Sequence, residues 1–440
     1  MGALVLAGCS SGGGPKATGS TQQPQGPTLL TFAVYGPPQV VTAYAKIAAN
    51  FTSMHPGTVV NVRPYDTAEA AHDALETSIA DGTPPDAFLS PLQDLPGLIR
   101  TKSVRRLDEL LGEREVDFGD GYQRYSLEAF SSANALQCMP VDVSPMVVYY
   151  NTNLVDLTKL GNVARGGIKP GGGWSLDEFA AAARNASVRR VRGVYVAPTL
   201  EQIAPFLWSG GGNVVDDQDK PTTLTLSKGS DASSLEKLLE LVRDPQATFN
   251  EKQLANKSVL QRFESGSLAM MLGYRDLTPV LRAQPTLSFN VMPMPSLGTK
   301  ATIGRSTGLC LSSASKHPAK TADFLAYAVS DAASRLLAET GYTVPTDLDV
   351  VHSEAYLQTG QMPANPEVFS ANVRYIRELP TVDAWKQVAA QTEPLLTRLF
   401  YDALIDPLSD RLKAIDAVSA PIFVPPTISP SPTPSPTPAG

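Results

Sequence analysis

The apolar positions of this chain fall into short runs that switch between a strand's period and a helix's. Residues 28–35 (TLLTFAVY) read as a strand, and Gly36-Pro37-Pro38 turns the chain. Val40, Val41, Tyr44, Ile47, Ala48 and Phe51 then recur at helical spacing, until His55-Pro56-Gly57 stops the helix. A second strand at 59–62, a helix at 68–80 closed by Asp81-Gly82, and a third strand at 85–89 follow. Strand, helix, strand, helix, strand predicts an α/β layer with a parallel sheet. Ligands of such sheets lie beyond the carboxyl ends of the strands. The loops after Val34, after Leu89 and near Asp142 are therefore candidate ligand positions.

The alternation continues. Residues 136–140 lead into Met146-Val147-Val148-Tyr149-Tyr150-Asn151, a strongly β-prone run. After the loop 171–174, Ser175 and Glu178 form a capping-box pattern, and Phe179, Ala182 and Ala183 give the next helix an apolar face. Residues 207–213 (LWSGGGN) read as a glycine-rich turn, and 234–243 as a helix stopped by Asp244-Pro245. Residues 263–271 approach a further strand and loop, and Pro293 and Pro295 mark a connection. Residues 309–311 read as a short strand, and 321–340 as one long amphipathic helix ended by Gly341. The repeated Ser-Pro-Thr-Pro tail, 425–440, is extended and coreless in type.

Length and composition narrow the class. A chain of 440 residues is too long for one core, so two domains are expected. The apolar share of 42% suits a globular chain, and no apolar run is long enough to span a bilayer. A net charge of −7 without a basic block disfavours nucleic acid as a partner. The four histidines are scattered without ligand spacing, so no metal site and no cofactor is expected. No His-Glu-x-x-His pair or phosphate-binding glycine loop is present. Glycosidases need only two suitably placed carboxylates, and Asp86, Asp142 and Asp276 are candidates, so an extracytoplasmic hydrolase is the rival class.

Leu6-Ala7-Gly8-Cys9 resembles the lipobox of bacterial export signals, in which the cysteine thiol receives lipid. The flanking Gly/Ser/Thr/Gln/Pro stretch to residue 27 has the composition of a tether. Met1 to Gly8 carries no Lys or Arg, so the full signal is expected to start further upstream. With Cys9 lipidated, firm anchoring needs more than one acyl chain such as palmitate. Cys138 and Cys310 are then left either as a disulfide, as exported thiols often are, or as two small hydrophobes in apolar runs.

Six blocks, in order, resemble the family 1 extracellular solute-binding proteins, the capture components of carbohydrate ABC importers. They are Phe51 to Val60 (FTSMHPGTVV), Pro85-Asp86-Ala87-Phe88, Met139-Pro140 with Tyr149-Tyr150-Asn151, Trp174 to Phe179 (WSLDEF), Phe263 to Met270, and Ser315 to Pro345. Within that family the chain resembles the actinobacterial UspC-type amino-sugar-binding lipoproteins. The resemblance implies an α/β clamshell of two lobes, like the type II periplasmic binding proteins. Lobe 1 takes 28–137 plus 309–340, and lobe 2 takes 138–308 plus 341–424. Three hinge crossings fall near Gln137, Gly308 and Gly341, with glycine at two of them easing backbone change. It implies a monomer on the extracytoplasmic face of the cell membrane, held by lipid at Cys9. That monomer passes a carbohydrate to a permease driven by a cytoplasmic ATPase.

Sugar sites combine aromatic faces with carboxylates, amides and arginines. By resemblance the candidates are Tyr35 and Gly36, Ser90 with Gln93 or Asp94, Asp142 and Ser144, and Trp208 and Ser209. To these are added Tyr274, Arg275 and Asp276, and the loop Gly304-Arg305-Ser306-Thr307, expected to offer backbone N–H groups. Where many relatives place a stacking Trp, Tyr274 stands here. Several of these have a plain alternative. Tyr35 is either a ligand contact or a strand end, Asp142 a contact or a turn cap, and Trp208 a contact or lobe 2 core. Trp174 reads as structural, Trp385 as packing or a cleft wall, and Arg374 and Tyr375 as possible cleft neighbours. Arg275 and Arg305 need either a ligand or an acidic partner. A glycerophosphodiester is the alternative ligand those two cations would suit.

Overall fold

The computed structural model describes residues 26–161, 166–188 and 190–424. Cys9, the tether and the tail lie outside the described residues. Two sheets organise the chain. Their strands are β1 (Thr28–Tyr35), β2 (Thr58–Tyr65), β3 (Ala87–Pro91), β4 (Cys138–Pro145), β5 (Val147–Asn151), β6 (Arg192–Tyr195), β7 (Leu268–Gly273), β8 (Phe289–Met292), β9 (Thr302–Leu311) and β10 (Ile376–Arg377). The first sheet runs β10-β9-β3-β1-β2, with β4 also paired to β9. Its β1–β2 and β1–β3 pairs are parallel, as the alternating pattern predicts. The second sheet runs β8-β5-β7-β6 and mixes antiparallel and parallel pairs.

Each sheet anchors its own core, giving the two-lobe α/β fold. In the first lobe, the helix Pro38–Met54 starts with proline in its first turn, where the missing N–H is harmless. Its buried face is Val40, Ala43, Tyr44, Ile47, Ala48 and Phe51. Phe32 of β1 meets Tyr44 and Phe324 edge-on, with ring centroids 5.4 and 5.2 Å apart. In the second lobe, the side chains of β5 alternate. Val148 and Tyr150 pack with Phe179, Phe206 and Trp208, while Val147 and Tyr149 pack with Phe263, Phe289 and Phe369. The sheet is thus covered on both faces. The helix Leu176–Ala186 begins with the expected capping box, Ser175 and Glu178 each accepting from the other's backbone N–H.

Strand β4 joins the two cores. Cys138 and Met139 belong to the first core, and Met146, just past its end, to the second. β9 runs antiparallel to it from Gly304 opposite Pro145 to Cys310 opposite Cys138. A third segment lies against β4, where the Val143 N–H donates to the Val344 carbonyl at 3.0 Å. The sulfurs of Cys138 and Cys310 are bonded, across a Cα separation of 4.4 Å.

Four expectations change here. Residues 304–307 are not a loop but the middle of the ten-residue β9, so their backbone serves the β4 ladder. Gly308 is needed for space rather than for freedom, since a Cβ there would sit 2.4 Å from the Phe130 ring. Gly341 does hold a left-handed φ of +76°. The single helix over 321–340 is two, Pro318–Ala328 and Asp331–Ala338, because Ser330 caps a new start. Residues 207–209 end the helix Leu200–Ser209 instead of forming a turn.

Candidate functional site

A cavity of about 720 Å³ opens between the two lobes. From the first lobe it is lined by the carboxyl ends of β1 and β3, including Tyr35, Gly36 and Pro91, with Gln93 beyond. This is where an open α/β sheet places a ligand. Its floor is the joining ribbon, with Asp142 and Ser144 from β4 and Gly304, Arg305, Ser306 and Thr307 from β9. The second lobe adds Glu201, Tyr274 and Asp276. Glu378, Leu379, Trp385 and Glu393 close a further wall.

Glu201 organises the second-lobe side. It stands in the first turn of the helix capped by Thr199. Its Oε1 accepts from the Tyr274 hydroxyl at 2.7 Å and from Arg305 Nη2 at 2.9 Å and Nε at 3.2 Å. The Arg305 guanidinium lies 4.1 Å from the centre of the Tyr274 ring. The three residues fix one another, so the tyrosine presents a held aromatic face. On the first-lobe side, the Tyr35 hydroxyl shares a 3.0 Å hydrogen bond with Thr307 Oγ1.

The carboxyl groups of the cleft are perturbed. Burial pushes Asp142 up to about 7, opposed by the Val344 N–H that its Oδ1 accepts at 2.6 Å and by the Arg275 charge, and reinforced by the charge of Asp276. Burial also pushes Glu378 up to about 7, against the lowering hydrogen bond from the Tyr125 hydroxyl. Asp276 is raised by desolvation, with Arg305 opposing. Near neutral pH two carboxyls of this cleft sit between acceptor and donor. Among the described residues, five acids (Asp142, Glu201, Asp276, Glu378 and Glu393) line it against one cation, Arg305.

The sequence-based candidates divide cleanly. Tyr35, Gly36, Gln93, Asp142, Ser144, Tyr274, Asp276, Gly304, Arg305, Ser306 and Thr307 line the cavity. Ser90, Asp94, Trp208, Ser209 and Arg275 do not. Ser90 is buried and donates to the Pro91 carbonyl at 3.2 Å. Asp94 turns to His72 Nδ1, 3.0 Å away. Trp208 packs in the second core, with Arg377 5.2 Å from its ring centre, and Ser209 donates to the Thr299 carbonyl. Arg275 stands in the turn between β7 and the helix Leu277–Arg282, and unlike its neighbours Tyr274 and Asp276 it does not line the cavity. It is fully buried, donates to the carbonyls of Gly341 and Tyr356 at 3.1 and 3.2 Å, and lies near the Tyr356 and Phe369 rings. Backbone carbonyls and aromatic faces surround its charge.

Trp174 is structural, its indole N–H donating to the Pro293 carbonyl at 2.8 Å. Trp385 both packs on the second core and walls the cavity. Arg374 and Tyr375 pack on each other and are not among the lining residues. Sequence reasoning missed Glu201, Glu378, Glu393, Tyr342 and Thr343. A usable signal existed for Glu201, since the Thr199 N-cap could have marked a helix end beside the cleft.

Comparisons fit this geometry. The model of the bacterial extracellular solute-binding proteins matches residues 46–364. Among solved structures, the sugar-binding protein MalE from Xanthomonas citri superposes with a TM-score of 0.76 at 14% identity, over 90% of this chain and 97% of that one. An ABC substrate-binding protein from Listeria monocytogenes, Lmo0181, in complex with cycloalternan gives 0.74 at 19% identity, over 89% and 98%. UspC of Mycobacterium tuberculosis gives 0.69 at 16% identity, over 90% and 100%. At such identities these likenesses establish a shared fold.

Proposed function

Because this chain belongs to the bacterial extracellular solute-binding protein family, we propose that it captures a carbohydrate between its lobes for an ABC importer. The observation that carries this reading is the lining of the cleft. Tyr35, Tyr274 and Trp385 offer flat apolar faces, while Asp142, Glu201 and Glu378 offer carboxyl oxygens. Sugar rings need both, one for their CH faces and the other for their hydroxyls. Solved relatives of the same fold include proteins bound to cycloalternan and to maltose, which supports the same class. The lobes, 28–137 with 309–340 and 138–308 with 341–424, would close about the β4–β9 ribbon and the segment after Gly341. A permease with its cytoplasmic ATPase would read the closed form, and lipid at Cys9 would hold the protein to the membrane. Among the described residues no helix is long and apolar enough to cross one.

The charge balance of the cleft argues against a glycerophosphodiester. Arg275 is withdrawn from the cavity, leaving Arg305, already paired with Glu201, as its one lining cation among the described residues. A hydrolase needs an acid and a nucleophile or base across a bond. The family is one of solute binders, so the carboxyl groups are assigned to recognition.

A thermal-shift screen tests this directly. Maltose, maltotriose, glucosamine and glycerophosphocholine are each added, and ligand consumption is followed by chromatography. A saccharide should raise the melting temperature without being consumed. Turnover of the saccharide, or a shift with glycerophosphocholine alone that fades with added salt, would refute the proposal.

A further inference from the structure

Residues 378–386, which follow β10, are fastened to the second lobe and reach across to the first. Gln218 Nε2 donates to the Glu378 carbonyl at 2.9 Å, and Arg377 Nη2 donates to Asn213 Oδ1 at 3.2 Å, so second-lobe residues hold the start of the segment. Its far end enters the helix Trp385–Tyr401, whose Val388 belongs to the second core. Between these anchors Glu378, Leu379, Pro380 and Trp385 line the cavity.

Side chains of this segment meet three helices of the first lobe. The Glu378 carboxylate accepts from the hydroxyl of Tyr125, in the helix Arg124–Ala129. Asp383 Oδ2 lies 2.8 Å from Nη1 of Arg100, at the end of the helix Leu95–Arg100. Lys386 Nζ lies 3.4 Å from Oε1 of Glu69, in the first turn of the helix Ala68–Ala80. Among the described residues these are the two ion pairs that join one lobe to the other, and they end on either side of Trp385. Arg100 facing Lys386, or Glu69 facing Asp383, would be repulsive, so the two pairs fix the register of the lobes. All four side chains are exposed, while Ala68 beside Glu69 and Trp385 beside Lys386 line the cavity, which places the pairs at its rim. Exposed pairs are individually weak and are screened by salt, so they hold a wall in place and still release it.

Building on the solute-binding reading, we infer that Asp383 and Lys386 are positioning residues that set Trp385 as a wall of the cleft by pairing with Arg100 and Glu69 across its rim. From behind, Trp385 rests on the second lobe, its ring centre 6.2 Å from that of Phe423. The pairs supply the first-lobe reference that fixes how far the indole stands over the cavity. Ligand enters and leaves as they part and re-form. A neutral sugar carries no charge for salt to screen, so a salt dependence of its binding reports the protein's own pairs.

The test reads Trp385 in the full chain without ligand. The other two tryptophans, Trp174 and Trp208, are 3% and 2% exposed, so quenching of fluorescence by neutral acrylamide reports Trp385. Asp383→Arg and Lys386→Glu should each raise the quenching by about twofold, and the swap Arg100→Asp with Asp383→Arg should restore the parent's value. Raising NaCl from about 0.05 to about 1 M should move the parent toward the single variants. Quenching equal to the parent's in both single variants, or a swap that fails to restore it, overturns the inference. Maltose and glucosamine then test the link to binding. Whichever of them the parent binds should bind about threefold more weakly to each single variant and with parental affinity to the swap. Parental affinity in both single variants also overturns the inference. If neither sugar binds the parent, the proposed function falls for those sugars, and the quenching decides the inference alone.

Discussion

At the residue scale, the cleft depends on side chains that hold one another. Glu201 accepts from both Tyr274 and Arg305, so its loss leaves a buried tyrosine hydroxyl and a guanidinium to find other partners. Glu201→Ala should therefore weaken saccharide binding by about tenfold or more, while Glu201→Gln, which keeps one acceptor, should lose less. Equal, parental affinity in both variants would show that the triad does not orient Tyr274. Asp142 carries a pH signature. Its folded value near 7 lies above the ordinary carboxylate range, so the native state holds a proton that the unfolded chain has released. Its contribution to stability is full below about pH 4 and is lost as pH rises through about 7. Asp142→Asn keeps an acceptor for the Val344 N–H and removes the titration. Its melting temperature should fall less than the parent's between pH 5 and 8, with Glu378 leaving some slope in both. The residues legible in sequence were those at strand ends and on strands, such as Tyr35, Asp142 and Tyr274. Arg275 misled because its type suggests a ligand. Its partners, the carbonyls of Gly341 and Tyr356, are far away in sequence, so no local pattern shows that it faces away from the cleft.

At the element scale, periodic patterns were legible and glycine was ambiguous. The helix Pro38–Met54 and strands β1 to β3 follow from spacing and stop signals alone. Gly304-Arg305-Ser306-Thr307-Gly308 has loop composition, yet it is strand. Its glycines are required because the rings and branches of neighbours come close, with a Cβ at position 304 meeting Ile376 at 2.7 Å and one at 308 meeting Phe130. Such contacts join residues far apart in sequence, and no local pattern encodes them. The same holds for the disulfide, whose partners are 172 residues apart yet face each other across β4 and β9. It closes a long loop and ties the first-lobe end of the ribbon, so Cys138→Ala with Cys310→Ala should cost about 3 kcal/mol in denaturant unfolding. Neither cysteine lines the cavity, so saccharide affinity should stay within about threefold of the parent's. Unchanged stability would remove the disulfide from the account of the fold.

At the scale of the whole molecule, the two-lobe plan was legible because six separated blocks keep their order, whereas the sign of the cleft was not. Sequence showed a chain of net charge −7 with two arginines poised to meet an anion. Folding withdrew one of them and gathered five acids around the other. That balance makes a further measurement decisive between ligand classes. As pH rises from 5.5 to 8, Asp142 and Glu378 pass from neutral to charged. A cationic sugar that keeps its charge over this range should bind more tightly at the upper end, by about tenfold if one of these carboxyls lies within contact of its ammonium. A neutral sugar of the same size should change by much less, since a carboxyl and a carboxylate can both hydrogen-bond a hydroxyl. Calorimetry of a glucose derivative bearing a quaternary ammonium group, which keeps its charge at both pH values, against glucose separates them. A cation that binds no better at high pH would mean that these carboxyls serve hydroxyl recognition, and that the cleft's acidity is directed at neutral rings.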